Sequence, residues 1–248
     1  MIAALTMSSR SRRVRFGREE CVDTHTAYTY DRRMKAYAVY QNHSSTRHTP
    51  RQHARAAGIL YLVTHVTSVV AVVAYSAGFV TAGVTLEFGL AIGCVGTGVL
   101  LWNLLRGFGP VRAATFATLR TVEASIIIAG ALPMLAMMWM HASAGPLAEL
   151  VSAMHTASFL LGQGLVISVN TVVLGWLLWD SRAVPRPLAA LGIGGGLLVL
   201  ISNLGQLWAV ITLNGPIAGA AALPVFAFEL WLAIYLIACG LRTSSKPA

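Results

Sequence analysis

Charge is scarce in this sequence. Of 248 residues, 18 are Lys or Arg and nine are Asp or Glu, 11% in all, where a soluble domain carries roughly 25%. A surface facing water on every side is excluded. Cysteine is rare too: Cys21, Cys94 and Cys239 lack paired or metal-like spacing, so neither a disulfide framework nor a thiolate metal site is expected. No HExxH and no GxSxG occurs, which removes the zincins and the nucleophile-elbow hydrolases. His43, His48 and His53 fall in a polar stretch where solvated side chains, not metal ligands, are expected. No cofactor and no metal is predicted.

What remains is apolar. Hydrophobic residues make up 56% and the mean hydropathy is +0.68, which points to a membrane protein. The formal charge of +9 is a matter of distribution. Eleven of the 18 basic residues precede Ala56; the others are Arg106, Arg112, Arg120, Arg182, Arg186, Arg242 and Lys246. No stripe of basic residues interleaved with aromatics marks a nucleic-acid surface, so nucleic acid is not an expected partner.

Residues 1–53 (SSRSRRVRFGREE, DRRMKAY, QNHSSTRHTPRQH) are polar and without hydrophobic periodicity, and no apolar h-region follows the positive charges as in a signal peptide. The expectation is a disordered basic cytosolic tail that meets anionic lipid headgroups. A natural start at Met34 would shorten it, and the intact mass of natively expressed protein tests that.

From Ala54 to about residue 243 the chain is a series of apolar runs, with a short cytosolic end over 244–248. Spans are predicted at about 56–78, 88–105, 114–139, 153–179, 187–211 and 217–241, each with the ~20 residues that cross a bilayer. The connections alternate in charge. The links Thr81–Glu87, His141–Ser152 and TLNGP contain no Lys or Arg, whereas Arg106 and Arg112, Arg182 and Arg186, and Arg242 and Lys246 flank the others. Six helices with both termini cytosolic satisfy the positive-inside rule. The fold class is therefore all-α: a polytopic bundle of six transmembrane helices. Trp102, Trp139, Trp176 and Trp179 read as interfacial anchors, and the deeper Trp208 and Trp231 as core or pocket residues. Gly89, Gly93, Gly96, Gly192, Gly194, Gly195 and Gly196 read as packing seams.

Three charges lie inside these spans: Arg120, Glu123 and Glu229. Each costs about 2.5–3.5 kcal/mol at a membrane midplane on the insertion scale, so each must be paired, neutralised or facing water. At 1.5 Å per residue from the cytosolic ends, Arg120 lies roughly 12 Å deep, Glu123 roughly 16 Å and Glu229 roughly 19 Å. His65 and Asn170 come from two further spans at roughly 15–18 Å. These five form the candidate intramembrane polar site. Gln163, Asn203 and Gln206 form a secondary lining, since 163 and 170 share a face, as do 203 and 206. Arg120 and Glu123 at i, i+3 can pair locally, with Glu229 approaching Arg120 from another helix. One arginine against two glutamates leaves a net −1, to be cancelled by a proton on a glutamate, a protonated His65 or a bound cation. His141 and His155 are placed near the outer side, away from both glutamates.

Several short stretches together carry a likeness: Gly58-Ile59-Leu60-Tyr61-Leu62 with Thr64, Arg120-x-x-Glu123-Ala124, and Leu161-Gly162-x-Gly164 followed by Asn170. Ser181-Arg182-x-Val184-Pro185-Arg186 and Leu223-Pro224 with Phe228-Glu229-Leu230 complete it. Over roughly residues 55–243 the chain resembles a bacterial membrane-protein family known as domain of unknown function 4386. The resemblance implies a multi-pass protein of the bacterial inner membrane and carries no activity with it. Three readings of function follow. The first is a small proton- or cation-linked transporter or binding protein for a modest solute, its partners being the lipid bilayer, that solute and a proton or cation. The second is a non-catalytic membrane sensor or assembly component with a structural polar layer. The third, an intramembrane enzyme on a lipid substrate, lacks a visible nucleophile–base pair. No interface for self-assembly is legible.

Overall fold

The computed structural model describes residues 50–140 and 145–242. The expectations for the tail and for His141 therefore fall outside the described residues, except that Pro50–His53 are already helical. Six helical runs follow: α1 (Pro50–Ser76), α2 (Val80–Leu105), α3 (Pro110–Trp139), α4 (Pro146–Ser181), α5 (Arg186–Leu207) and α6 (Pro216–Ala238). Even α5, with 22 residues, reaches about 33 Å at 1.5 Å per residue and so crosses a ~30 Å hydrocarbon core. Proline opens or nearly opens α3, α4, α5 and α6, where the first turn has no use for its missing N–H.

Six apolar helices are what hydropathy predicts, and their limits differ from the predicted spans, most consequentially in α2. α2 begins at Val80 rather than 88, because Ala77–Phe79 turn the chain tightly with Gly78 at φ +81°. The supposed link Thr81–Glu87 is helix, and Glu87 is buried.

Each helix packs on the next in sequence, and α6 packs back on α1, closing a ring. The start of α1, the residues just after α6 and the connections 106–109 and 182–185 gather at one face, where Arg242 N donates to Ala183 O at 2.9 Å. Tyr61, Leu101, Phe116, Leu177, Phe228 and Leu232 fill the interior of that half as a dry core. Arg106, Arg112 and Arg186 lie over the rings of Trp102, Trp176 and Trp179, an amphipathic girdle at the same end. Outward, every helix exposes large apolar side chains, among them Val66, Ile92, Leu132, Leu161, Ile201 and Leu223. A ring with a buried polar centre and an apolar rim is an integral membrane protein. Trp208 and Trp231 belong to that exposed rim rather than to the core.

α4 is the irregular member. Its α-helix Pro146–Phe159 passes through a π-helical segment, Leu160–Val166, before resuming as Ile167–Ser181. The wider turn carries Gly162 and Gly164. A Cβ on Gly162 would meet Ile126 Cγ2 at 3.0 Å and the Glu123 carbonyl at 3.6 Å, so only glycine lets α4 lie this close beside Glu123. Segments of this kind recur at functional sites.

Candidate functional site

α3 supplies the charged centre. Arg120 and Glu123, one turn apart, are each 2% exposed. Arg120 Nη1 donates to Glu123 Oε2 at 2.9 Å and Oε1 at 3.2 Å. Its Nε donates to Thr97 Oγ1 at 3.2 Å, and Thr97 spends its own proton on the Cys94 carbonyl at 2.8 Å. The guanidinium lies 5.4 Å from the Tyr61 ring centroid. Gly98 makes room for this, since a Cβ there would sit 3.0 Å from Arg120 Cβ.

Glu123 is well supplied with donors. Besides Arg120, Asn170 Nδ2 donates at 3.4 Å and Cys94 Sγ at 3.7 Å. Its charge is thus matched by Arg120 and its lone pairs by groups on α2, α3 and α4. Asn170 Oδ1, by contrast, is buried with no hydrogen-bond partner among the described residues.

Glu229 does not reach Arg120 as a bonded partner, as sequence spacing had suggested. It faces His65, with Nε2 to Oε2 at 3.5 Å. The tautomer of His65 follows from its other nitrogen: Nδ1 lies 3.0 Å from the Tyr61 carbonyl oxygen, which can only accept, so Nδ1 carries a proton. A neutral ring in that tautomer turns a bare lone pair toward Glu229. An ionised Glu229 beside it would set lone pair against lone pair. One proton in the contact, on either partner, removes the conflict and the net −1 counted from Arg120, Glu123 and Glu229.

Arg120, Glu123, Glu229 and His65 line one cavity of about 200 Å³ to which all six helices contribute. A buried water needs only about 10–15 Å³ by this measure, so there is room for several waters or a small solute. Gln163 joins the lining and accepts from Ser68 Oγ at 2.9 Å. Asn203 and Gln206 do not. Gln206 Nε2 donates to Asn203 Oδ1 at 3.0 Å and Gln206 Oε1 accepts from Asn214 N at 2.9 Å, so the pair secures the α5–α6 connection. Their shared face meets the loop through Gln206 and Gly164 of α4 through Asn203. The exposed members of the lining are Val69 on α1 and Ala222 and Phe226 on α6. The cavity therefore has its edge between α1 and α6, toward the apolar exterior.

A family profile, Domain of unknown function (DUF4386), matches residues 56–240. The chain belongs to that family. The matched stretch of this DUF4386 protein takes in every residue of the cavity. No curated protein and no solved structure matches the chain.

Sequence reasoning missed a second polar group in the DUF4386 domain. Glu87 is buried, accepts from Tyr75 Oη at 2.7 Å, and lies 2.8 Å from His155 Nε2. His155, set aside in the sequence as lacking an acid–base partner, has a carboxylate of its own. The available signal was the single acidic residue between two apolar stretches, set aside as part of a link.

Proposed function

We propose that this DUF4386 protein is a small proton- or cation-linked transporter or binding protein for a modest solute, in the bacterial inner membrane with both termini cytosolic. Glu229 is the exchange group. The observation that carries this reading is the His65–Glu229 contact at 3.5 Å, which lines the cavity, while the neighbouring Arg120 and Glu123 are already bonded to each other. The site then accommodates one further positive charge at a time. A cation arriving at Glu229 displaces the proton, and the interior stays electrically balanced, which a low-dielectric site demands. Arg120 fixes Glu123 and Thr97 through Nη1 and Nε, and its remaining donors are left for the cavity it lines. The apolar edge formed by Val69, Ala222 and Phe226 suits a solute with a hydrophobic body.

Proton release on cation binding tests the reading. Benzyltrimethylammonium, a small apolar monocation, is added to purified protein in weakly buffered detergent near neutral pH. The parent is expected to release protons and Glu229→Gln to release none. Identical behaviour of parent and variant, with or without release, sinks the exchange reading.

The second reading, a sensor or assembly component with a structural polar layer, draws on a different observation. The Arg120, Glu123, Thr97, Cys94 and Asn170 network ties α2, α3 and α4 together, as a structural polar layer would. Under that reading Glu229→Gln costs stability in proportion to any function lost.

A further inference from the structure

We infer that Tyr75, Glu87 and His155 form a second proton-binding site, and that its proton holds the first half of α4 closed over the far end of the cavity. The inference is independent of exchange at Glu229. The three side chains come from α1, α2 and α4. Tyr75 Oη donates to Glu87 Oε2 at 2.7 Å, His155 Nε2 approaches Oε1 at 2.8 Å, and the Tyr75 and His155 rings meet edge-on with centroids 4.8 Å apart. Gly83 on α2 is part of the construction: a Cβ there would lie 2.6 Å from the Tyr75 ring, so glycine is what lets the ring lie against α2.

Glu87 is 4% exposed in an apolar setting, and its charge requires a counter-charge. Among the described residues only His155 supplies one at short range. The other titratable groups on the surrounding helices are few. α1 has none between His65 and Tyr75, α2 has only Cys94 beyond Glu87, and α3 has none after Glu123. On α4, Glu149 is exposed and six residues ahead of His155. The neutral state of the cluster is therefore the one in which the Glu87–His155 pair holds a proton in addition to those of Tyr75 and a neutral imidazole.

That pair has a mechanical position. The first half of α4, Pro146–Phe159, buries a single side chain, Val151, of its 14 residues. It packs on α3 at a close seam between Gly130 and Ser158, and the clasp to Glu87 is its polar tie to α2. Directly after it comes the π segment, with Gly162 and Gly164 beside Glu123 and Asn203 and with Gln163 in the cavity. The clasp lies on one side of a glycine-bearing irregularity and the cavity at the other. Losing the proton leaves an ionised Glu87 against a neutral ring, which draws in water, frees the half-helix and admits water to the cavity from the face opposite the termini.

Cys94 is a built-in reporter, since it lines the cavity and is the only thiol left once Cys21 and Cys239 are replaced by Ser. Its alkylation by a water-soluble maleimide is measured on the full chain in detergent at about pH 6 and about pH 8, the range in which histidine changes charge. Glu87→Gln and His155→Gln are measured beside it and provide the thiol's own pH dependence. The parent's rate ratio between the two conditions is expected to exceed that of either variant by about fivefold or more, the low end of typical coupling between sites. Equal ratios in parent and variants overturn the proposal, whatever the variants do to thermal stability. Should neither variant fold, deuterium uptake over Pro146–Phe159 in the parent decides instead. Uptake that rises with pH beyond the intrinsic exchange rate supports the clasp, and uptake that follows the intrinsic rate overturns it.

Discussion

His65 reaches Glu229 across the cavity with the one ring nitrogen that the backbone leaves unengaged: Nδ1 is bound to the Tyr61 carbonyl at 3.0 Å, and Nε2 stands 3.5 Å from Glu229 Oε2. The separation is at the outer limit of a hydrogen bond, so the contact contributes little to stability. Glu229→Gln is accordingly expected to fold, with stability within about 1 kcal/mol of the parent, the scale of one ordinary hydrogen bond. Potentiometric titration of the purified protein between about pH 5 and 8 should find fewer protons bound by the variant. A variant that binds as many protons as the parent would remove the shared proton from the site.

Arg120 and Glu123 stand at the opposite extreme of burial and bonding. Removing one member leaves the other charged and unpaired in the bundle interior, which costs about 3–5 kcal/mol. Arg120→Ala should therefore unfold at a clearly lower detergent-denaturant concentration, and Arg120→Lys should rescue only part of the loss, because a point ammonium cannot serve Glu123 and Thr97 together. The double variant Arg120→Met/Glu123→Leu is expected to recover stability relative to Arg120→Ala, since paired removal leaves no orphan charge. A double variant less stable than the single one would show that the pair's hydrogen bonds outweigh its desolvation.

The bundle was legible because hydropathy and loop charge report on the same constraint, a backbone with no water to bond to. The charged centre was legible for a related reason: ionisable residues stand out against an apolar background, and helical rise converts position into depth. Arg120 and Glu123 are one turn apart, so even their pairing is local. His65–Glu229 and Glu87–His155 are not of this kind. Their members lie 164 and 68 residues apart, and helical spacing does not reach across that separation. Glu87 was further hidden by GVTLEFG, whose glycines and threonine read as a link, although the chain turns at Ala77–Phe79 and is helical from Val80. Asn203 and Gln206 show the complementary limit. Their i, i+3 spacing gives a common face and says nothing about which neighbour that face meets.

Glycine at the helix seams makes a paired prediction. A Cβ on Gly58 would lie 2.6 Å from the Ala233 carbonyl oxygen, a backbone atom on α6, whereas Gly194 has nothing within 4 Å. Gly58→Ala must push α1 off α6 and is expected to cost about 1–3 kcal/mol, as overpacking does. Gly194→Ala meets open space and restricts the unfolded chain, so it should be neutral or stabilising by up to about 1 kcal/mol. Thermal unfolding of the two variants side by side separates the steric term from propensity. Similar losses at both positions would mean that Gly58 is not an interhelical contact.

Cys239 offers a direct reading of orientation. It is exposed, one residue past α6, at the face where Arg106, Arg112 and Arg186 stack on tryptophans and where α1 begins. Basic residues concentrate on the cytosolic side of a membrane protein because they resist translocation, whereas the connections at the opposite face carry no Lys or Arg. In a Cys21→Ser background an impermeant maleimide applied to intact cells should leave Cys239 unlabelled, and the same reagent applied to inverted membrane vesicles should label it. Labelling in intact cells would reverse the bundle. The clasp of Tyr75, Glu87 and His155 would then respond to cytosolic pH rather than to the medium outside, and the core around Tyr61 and Phe228 would lie in the outer half of the bundle.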